Sequence, residues 1–115
     1  MAFKTSVALD GCRYTYAISP AIKKFTLRDV TFAPLANGNF EFKRLLEVAP
    51  NSGDGFLMKI TVNPELTGFK LSILDRFGTR NVNIFNGKAD PIIVEKFYFQ
   101  MQLFVDRDVF TQTQK

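Results

Sequence analysis

Apolar and polar residues alternate in several short segments of the chain. In segments 40–48, 56–62 and 69–74, nearly every second residue is apolar, and most residues between them are charged or carry a hydroxyl. A period of two residues is typical of strands that bury one face and expose the other. Arg44 is the exception, because it falls on an apolar row. Turn signals such as Asn37-Gly38 separate the segments, so the pattern predicts consecutive antiparallel strands.

Weaker patterns predict further elements before and after these strands. The Asp10-Gly11 pair between two alternating segments is typical of a hairpin turn, and Ser19-Pro20 is typical of the start of a helical turn. The predicted elements are strands at 3–9 and 13–18, a short helical turn at 21–25, and extended segments at 27–33 and 80–85.

The C-terminal stretch Asp90–Phe110 has no glycine or proline after Pro91. An aspartate can accept a hydrogen bond from a free backbone N–H at a helix start, and proline lacks the N–H that a first helical residue does not use. These features predict one helix over Asp90–Phe110. A strand is the competing interpretation, because every odd-numbered residue from Phe97 to Val105 is apolar. Length favours the helix, since strands usually have about 5–6 residues.

As a helix, this stretch has two apolar sides. A broad face is formed by Ile93, Val94, Phe97, Met101, Phe104 and Val105. A narrower set nearly opposite, which we call the outer strip, is formed by Ile92, Phe99, Leu103 and Phe110. We predict that the broad face packs on the sheet. The outer strip also needs a cover, either an N-terminal segment of the chain or a second copy in a homodimer whose interface has a charged edge.

These elements predict one α+β domain over residues 1–115. Sequential strands with short connections form an antiparallel meander. One apolar and one polar face on each strand indicate a sheet that is covered on one side only. The predicted fold therefore has two layers, a sheet and a long C-terminal helix that covers one face of it.

Composition excludes several kinds of chemistry. The chain has no histidine and only one cysteine, Cys12, and its formal net charge is +4. The absence of histidine excludes Ser-His-Asp and Cys-His catalysis and zinc sites that need imidazole, so we predict no metal and no cofactor. The unpaired cysteine and the lack of a long apolar segment predict a cytoplasmic protein that does not enter a membrane.

Candidate binding residues lie mainly in loops. Arg76 and Arg80 flank a turn and could hold a phosphate or carboxylate. The loop 51–55 could present backbone N–H groups to an anion, although a plain hairpin loop explains its sequence as well. The residues predicted as an anion or small-ligand site are Arg28, Asp29, Ser52, Gly53, Asp54, Arg76 and Arg80.

Two alternative functions use other residues. Lys43, Lys59 and Lys70 on the polar sheet face could hold a nucleic-acid backbone. Glutamates share that face and no pair of aromatic residues is evident there for base stacking, so the sequence does not favour nucleic acid. Cys12 beside Arg13 could serve as the nucleophile of an enzyme without histidine or metal, although a partly buried thiol is the commoner role.

Four runs of sequence resemble a small protein family of lactic-acid bacteria and their relatives. They are residues 12–16, 19–29, 51–56 and 82–85. The resemblance covers nearly the whole chain and implies a role in amino-acid metabolism. It also implies a fold similar to the TATA-box-binding protein, with a curved antiparallel sheet and helices on one face. It implies no catalytic residues. The sequence therefore predicts a small binding or accessory protein rather than an enzyme.

Overall fold

The computed structural model describes residues 3–49, 55–87 and 89–114. In chain order the elements are β1 (Ser6–Val7), β2 (Tyr14–Ile18), α1 (Lys24–Asp29), β3 (Ala33–Pro34), β4 (Phe40–Glu47), β5 (Gly55–Val62), β6 (Phe69–Asp75), α2 (Pro91–Asp106) and β7 (Phe110–Gln114). The prediction of an α+β protein with antiparallel strands and a C-terminal helix is confirmed. No helix in the described part of the chain is long and apolar enough to cross a bilayer.

The strands form two antiparallel sheets rather than the single sheet predicted. The larger sheet has the order β3-β4-β5-β6 and contains the predicted meander. The smaller sheet has the order β1-β2-β7, so the last strand of the chain pairs with the second. Among the described residues, one isolated bridge joins the sheets: the N–H groups of Lys4 and Phe69 each donate to the other's carbonyl, at 3.1 and 2.9 Å.

The helix α2 begins where the sequence predicted but ends earlier. Asp90 caps it by accepting a hydrogen bond from the N–H of Ile92 at 2.9 Å, and Pro91 is its first residue. The chain leaves the helix after Asp106 because Asp108 adopts a positive φ of 62°, which reverses its direction. The next residues form β7. The prediction that the helix reaches Phe110 is therefore wrong, as is the competing strand over 97–105.

The broad face of α2 packs on the larger sheet, as predicted, and also on β2 and β7 of the smaller sheet. Ile93, Phe97, Met101 and Phe104 are buried in this core, while Val94 and Val105 are half-buried. Phe104 is central, since its ring contacts the rings of Phe32, Phe42 and Phe110 at centroid distances of 5.4, 5.0 and 5.9 Å. Edge-on aromatic contacts of this kind add to the free energy gained from burying the rings.

The outer strip is only partly as predicted. Ile92, Phe99 and Leu103 are exposed, at 42, 75 and 40% of their surface, so no described N-terminal segment covers them. Phe110 is 1% exposed, and its ring packs on Phe69 at 4.6 Å. Placing Phe110 in the outer strip was wrong, because the strand β7 turns this side chain into the core.

Two predicted extended segments differ in the structure. Most of segment 27–33 belongs to α1 and the turn after it, and Leu27 is buried on this helix. In segment 80–85, Asn81 makes one isolated bridge to Leu74, but the segment itself forms no strand. Asn83 accounts for part of this, because its side chain accepts from Phe85 N–H at 2.7 Å and donates to the Asp10 carbonyl at 3.1 Å. Such side-chain bonds compete with strand pairing.

Candidate functional site

The solvent-facing side of the larger sheet has basic and hydroxyl side chains next to one another. Pairing of β5 with β6 places Lys59 opposite Ser72 and Thr61 opposite Lys70. Side chains of directly paired residues stand on the same face, about 5 Å apart. All four residues line one depression of about 380 Å³. The alternation that buries Met58, Ile60 and the facing row of β6 therefore turns these four outward together.

The turn after β6 closes one end of this depression. The Asp75 carboxylate accepts hydrogen bonds from the Thr79 backbone N–H at 2.8 Å and from its hydroxyl at 2.6 Å. Gly78 has a φ of 74°, which favours glycine. A Cβ on Gly78 would lie 3.4 Å from a methyl group of Leu57, so the turn lies over the outer face of the sheet. This fold brings Arg80 into the lining beside Lys59 and Lys70.

We call this site the cationic depression and define it by Lys59, Lys70, Arg80, Thr61, Ser72 and Thr79. Its positive charges are only partly neutralised. Glu41 lies 3.7 Å from the Lys59 ammonium and is shared with Lys43 at 3.5 Å. Asp75 lies 3.9 Å from Arg80 Nε. Within the described part of the chain Lys70 has no ion-pair partner, and its ammonium lies 4.5 Å from the centre of the Phe3 ring.

The Asp75 carboxylate is fixed in its charged form. Hydrogen bonds from the Thr79 side chain, then from the Thr79 backbone, lower the pKa of Asp75, and the Arg80 charge lowers it further. Hydrogen bonds to a carboxylate stabilise the ionised state. The turn that positions Arg80 is therefore held by a negative charge throughout the neutral pH range, and both oxygens of the Asp75 carboxylate accept hydrogen bonds from Thr79.

The structure separates the predicted binding residues. Arg80 lines the cationic depression, whereas the Arg76 guanidinium lies 4.9 Å from the centre of the Phe77 ring at the exposed end of the turn. Asp29 is 3.6 Å from Arg107 and lines a different depression, and Arg28 is exposed in the last turn of α1. The predicted residues Ser52, Gly53 and Asp54 lie outside the described residues.

The sequence did not indicate that Lys59, Lys70, Thr61 and Ser72 lie together. The lysines were predicted only as a possible nucleic-acid contact, and the two hydroxyl residues were not predicted to belong to a site. The available signal was the strand register. Once residues 56–62 and 69–74 are paired through the turn at Asn63 to Gly68, Lys59 and Ser72 must stand opposite each other. Asn63 fixes this turn by accepting from the N–H groups of Thr67 and Gly68 at 2.9 and 3.1 Å.

Arg44 has a structural partner that explains its place on the apolar row of β4. Its Nη1 donates to the Gln100 side-chain oxygen at 2.7 Å, and Gln100 is only 4% exposed on the buried face of α2. A buried amide without such a partner would cost about 1–3 kcal/mol. The pair lines a depression of about 330 Å³ with Asp29, Leu103 and Arg107.

The geometry of Cys12 does not favour a nucleophile. Its side chain is 4% exposed and belongs to the core. A reactive cysteine needs access to its substrate and an electropositive, partly exposed environment. Arg13, the neighbour that suggested activation, directs its guanidinium over the Tyr98 ring at 4.8 Å. Because so little of the Cys12 side chain is exposed, a substrate cannot reach its sulfur in this structure.

Comparison with known proteins places the chain in a family. A sequence model of DUF1831, described as "Putative amino acid metabolism", matches residues 1–111. The crystal structure of a DUF1831 family protein from Lactobacillus plantarum is 38% identical in sequence, with a TM-score of 0.89, over 98% of this chain and 99% of that one. No curated protein matches. The chain is a member of the DUF1831 family.

Proposed function

We propose that this protein binds a small anionic metabolite in the cationic depression, as a binding or accessory protein in amino-acid metabolism. The observation that carries the proposal is the convergence of Lys59, Lys70 and Arg80 on one concave site of about 380 Å³. Three cations face two carboxylates there, Glu41 and Asp75, and Glu41 is shared with a fourth cation. The remaining positive charge favours a ligand with more than one negative charge.

The hydroxyl groups narrow the chemistry of the ligand. Thr79 already donates to Asp75, but Thr61 and Ser72 can each donate a hydrogen bond from the floor of the depression. Ammonium, guanidinium and hydroxyl groups together bind the oxygens of carboxylates and phosphates. A dicarboxylate or a phosphomonoester fits this donor set, and a dicarboxylate agrees with the description of the family.

Replacing Arg80 by glutamine should weaken anion binding by about tenfold or more, because a charge-assisted hydrogen bond contributes about 1.5–3 kcal/mol. The measurement is isothermal titration calorimetry with 2-oxoglutarate and, separately, with inorganic phosphate. Lys70→Gln should have a similar effect, since Lys70 lines the same depression without a described carboxylate partner. Higher salt should weaken binding to the wild type.

Arg76→Gln is the matched control. It removes the same charge from the same turn, but Arg76 does not line the depression and lies against Phe77. We expect its affinity for either anion to stay within about twofold of the wild type, since surface substitutions away from a site change little. Equal losses for Arg76→Gln and Arg80→Gln would show that overall charge, not the cationic depression, attracts the anion.

The same face supports a nucleic-acid site less well. The outward positions of β4, β5 and β6 carry leucine, lysine, glutamate, glycine and hydroxyl residues and no aromatic ring. Single-strand binding relies on aromatic rings for base stacking, so a small anion fits the described face better.

We also propose that the exposed part of the outer strip, Ile92, Phe99 and Leu103, mediates association of two copies. These three apolar side chains lie on one side of α2 and are exposed at 42, 75 and 40%. Glu95 and Asp106 lie along one edge of the strip, and Lys96 and Arg107 along the other. An apolar centre with a polar rim is the usual composition of a protein interface.

Leu103→Asp should convert a dimer into a monomer, because a carboxylate buried without a partner in the interface is strongly unfavourable. Multi-angle light scattering across a concentration series measures the mass. Phe25→Asp is the control, since Phe25 is an exposed apolar residue on α1, away from the outer strip. A wild type that has the mass of one chain at all concentrations would disprove the dimer.

A further inference from the structure

A second depression lies between the turn that precedes β2 and the first half of α2. Its volume is about 510 Å³, within the range of about 300–1,000 Å³ that is usual for small-molecule sites. Its lining includes the apolar residues Phe85, Val94 and Tyr98 and the charged residues Arg13 and Glu95. We call it the amphiphilic pocket. It shares no lining residue with the cationic depression.

The two charges of the amphiphilic pocket have opposite sign and do not neutralise each other. Arg13 and Glu95 line the same pocket, yet no ion pair joins them, since none of the N–O distances below 4.0 Å involves either residue. Among the residues that the structure describes, neither side chain has another ion-pair partner. Both are exposed at the pocket, so each is available to a ligand group of the opposite charge.

Arg13 makes two contacts with Tyr98, one through its backbone and one through its side chain. Its backbone N–H donates to the Tyr98 hydroxyl at 2.9 Å, and its guanidinium lies 4.8 Å from the centre of the Tyr98 ring. A guanidinium over an aromatic face is stabilised by the ring and keeps its N–H groups, at the rim of its plane, free for hydrogen bonds. Arg13 is therefore held beside Tyr98 in a position to bind a carboxylate.

The apolar wall of the pocket is rigid. The Phe85 ring packs against Phe97 at 5.4 Å and against Tyr98 at 5.8 Å. At Gly11, whose φ is 82°, an added Cβ would lie 2.9 Å from the Phe85 Cβ and 3.5 Å from the Phe85 carbonyl oxygen, so Gly11 packs closely against the Phe85 backbone. Asn83 ties the same loop to Asp10. A wall that is formed before binding lowers the entropic cost of ordering protein side chains around the ligand.

We propose that the amphiphilic pocket binds a free α-amino acid with an apolar side chain. Its carboxylate pairs with Arg13, its ammonium group pairs with Glu95, and its side chain packs on Phe85 and Tyr98. Such a zwitterion carries an ammonium group and a carboxylate on the same carbon, so one ligand offers a partner to each of the two opposite charges that line the pocket. This site goes beyond the proposed function, because it uses different residues and a ligand with no net charge.

Calorimetric titration with L-phenylalanine and L-leucine tests the proposal, in parallel with their N-acetyl and carboxamide derivatives. We expect both free amino acids to bind and each derivative to bind about tenfold or more weakly, since each derivative loses one charged group. Equal binding of the N-acetyl derivative and the free amino acid would overturn the proposal, as would the absence of any binding at millimolar concentration.

Two variants test whether Glu95 and Arg13 hold the two charged groups of the amino acid. Glu95→Gln should weaken binding of the free amino acid about tenfold and leave the N-acetyl derivative unchanged, and Arg13→Gln should do the same with the carboxamide derivative. Glu65→Gln, which changes an exposed carboxylate outside the pocket, should have no effect. If Glu95→Gln binds the amino acid as well as the wild type does, Glu95 does not hold the ammonium group and the proposal is wrong.

The two sites can fail independently. Arg80→Gln changes the cationic depression only, so it should weaken binding of 2-oxoglutarate and leave binding of L-leucine unchanged. Glu95→Gln should have the opposite pattern. If either variant lost binding of both 2-oxoglutarate and L-leucine while circular dichroism showed it to be folded, the two sites would not be separate.

Discussion

Replacing Phe104 by alanine should lower the free energy of unfolding by about 3–5 kcal/mol, the range found for large aromatic residues in cores. Phe104 is completely buried, and its ring touches the rings of Phe32, Phe42 and Phe110. Phe104 lies on α2, and the three rings that it touches come from the segment before β3, from β4 and from β7. Loss of the ring therefore leaves a cavity where both sheets and the helix meet. Urea denaturation followed by circular dichroism measures the change.

Phe25→Ala is the matched control for that measurement. It makes the same chemical change on another helix, α1, but Phe25 is 62% exposed and lies outside the outer strip. We expect a change within about 0.5 kcal/mol, as for most surface substitutions. If both variants lost the same stability, the decrease would come from helix propensity or another shared effect, and the assignment of the buried face of α2 would be wrong.

Replacing Tyr16 by phenylalanine should raise the free energy of unfolding by about 1–2 kcal/mol. The Tyr16 side chain is 1% exposed, and its hydroxyl oxygen has no hydrogen-bond partner among the described residues. A buried polar group left unsatisfied costs about 1–3 kcal/mol, and removing it restores part of that cost. Tyr14→Phe, at a half-buried position of the same strand, should change the stability little.

Alkaline pH should enlarge the benefit of Tyr16→Phe. Burial raises the pKa of Tyr16 well above its ordinary value, and the nearby Cys12, Tyr98 and Tyr14 raise it further. Above pH ~10 the unfolded chain loses this proton while the folded protein keeps it, so the stability of the wild type falls by up to about 1.4 kcal/mol per pH unit for this group. The variant lacks this loss.

Urea titrations of the wild type and of Tyr16→Phe at pH 8 and at pH 11 measure both effects. The difference between variant and wild type should be larger at the higher pH. A Tyr16→Phe variant that is less stable than the wild type at pH 8 would show that the hydroxyl has a partner, such as a bound water, in solution.

Local sequence signals determined most of the secondary structure. Strict alternation in residues 56–62 and 69–74 fixed both the strands and the faces that they bury, because a period of two residues cannot satisfy a helix. Asp90 and Pro91 fixed the start of α2, since capping depends on residues next to each other in the chain. The same local pattern failed at the helix end, where Asp108 with positive φ and pairing of β7 with β2 outweigh an uninterrupted apolar sequence.

The candidate sites depended far more on tertiary structure. Arg76 and Arg80 are equivalent in sequence, and only the folding of their turn over Leu57 places Arg80 in the cationic depression. The amphiphilic pocket joins Arg13 to Tyr98, which are 85 positions apart. The alternation of apolar and polar residues does not predict a contact between residues so far apart in the chain, because it indicates only which face of an element each residue occupies. The sequence by itself determined the elements and their buried faces. The pairing of β5 with β6 and the packing of α2 beside Arg13 decided which charges stand together, because both depend on contacts between distant parts of the chain.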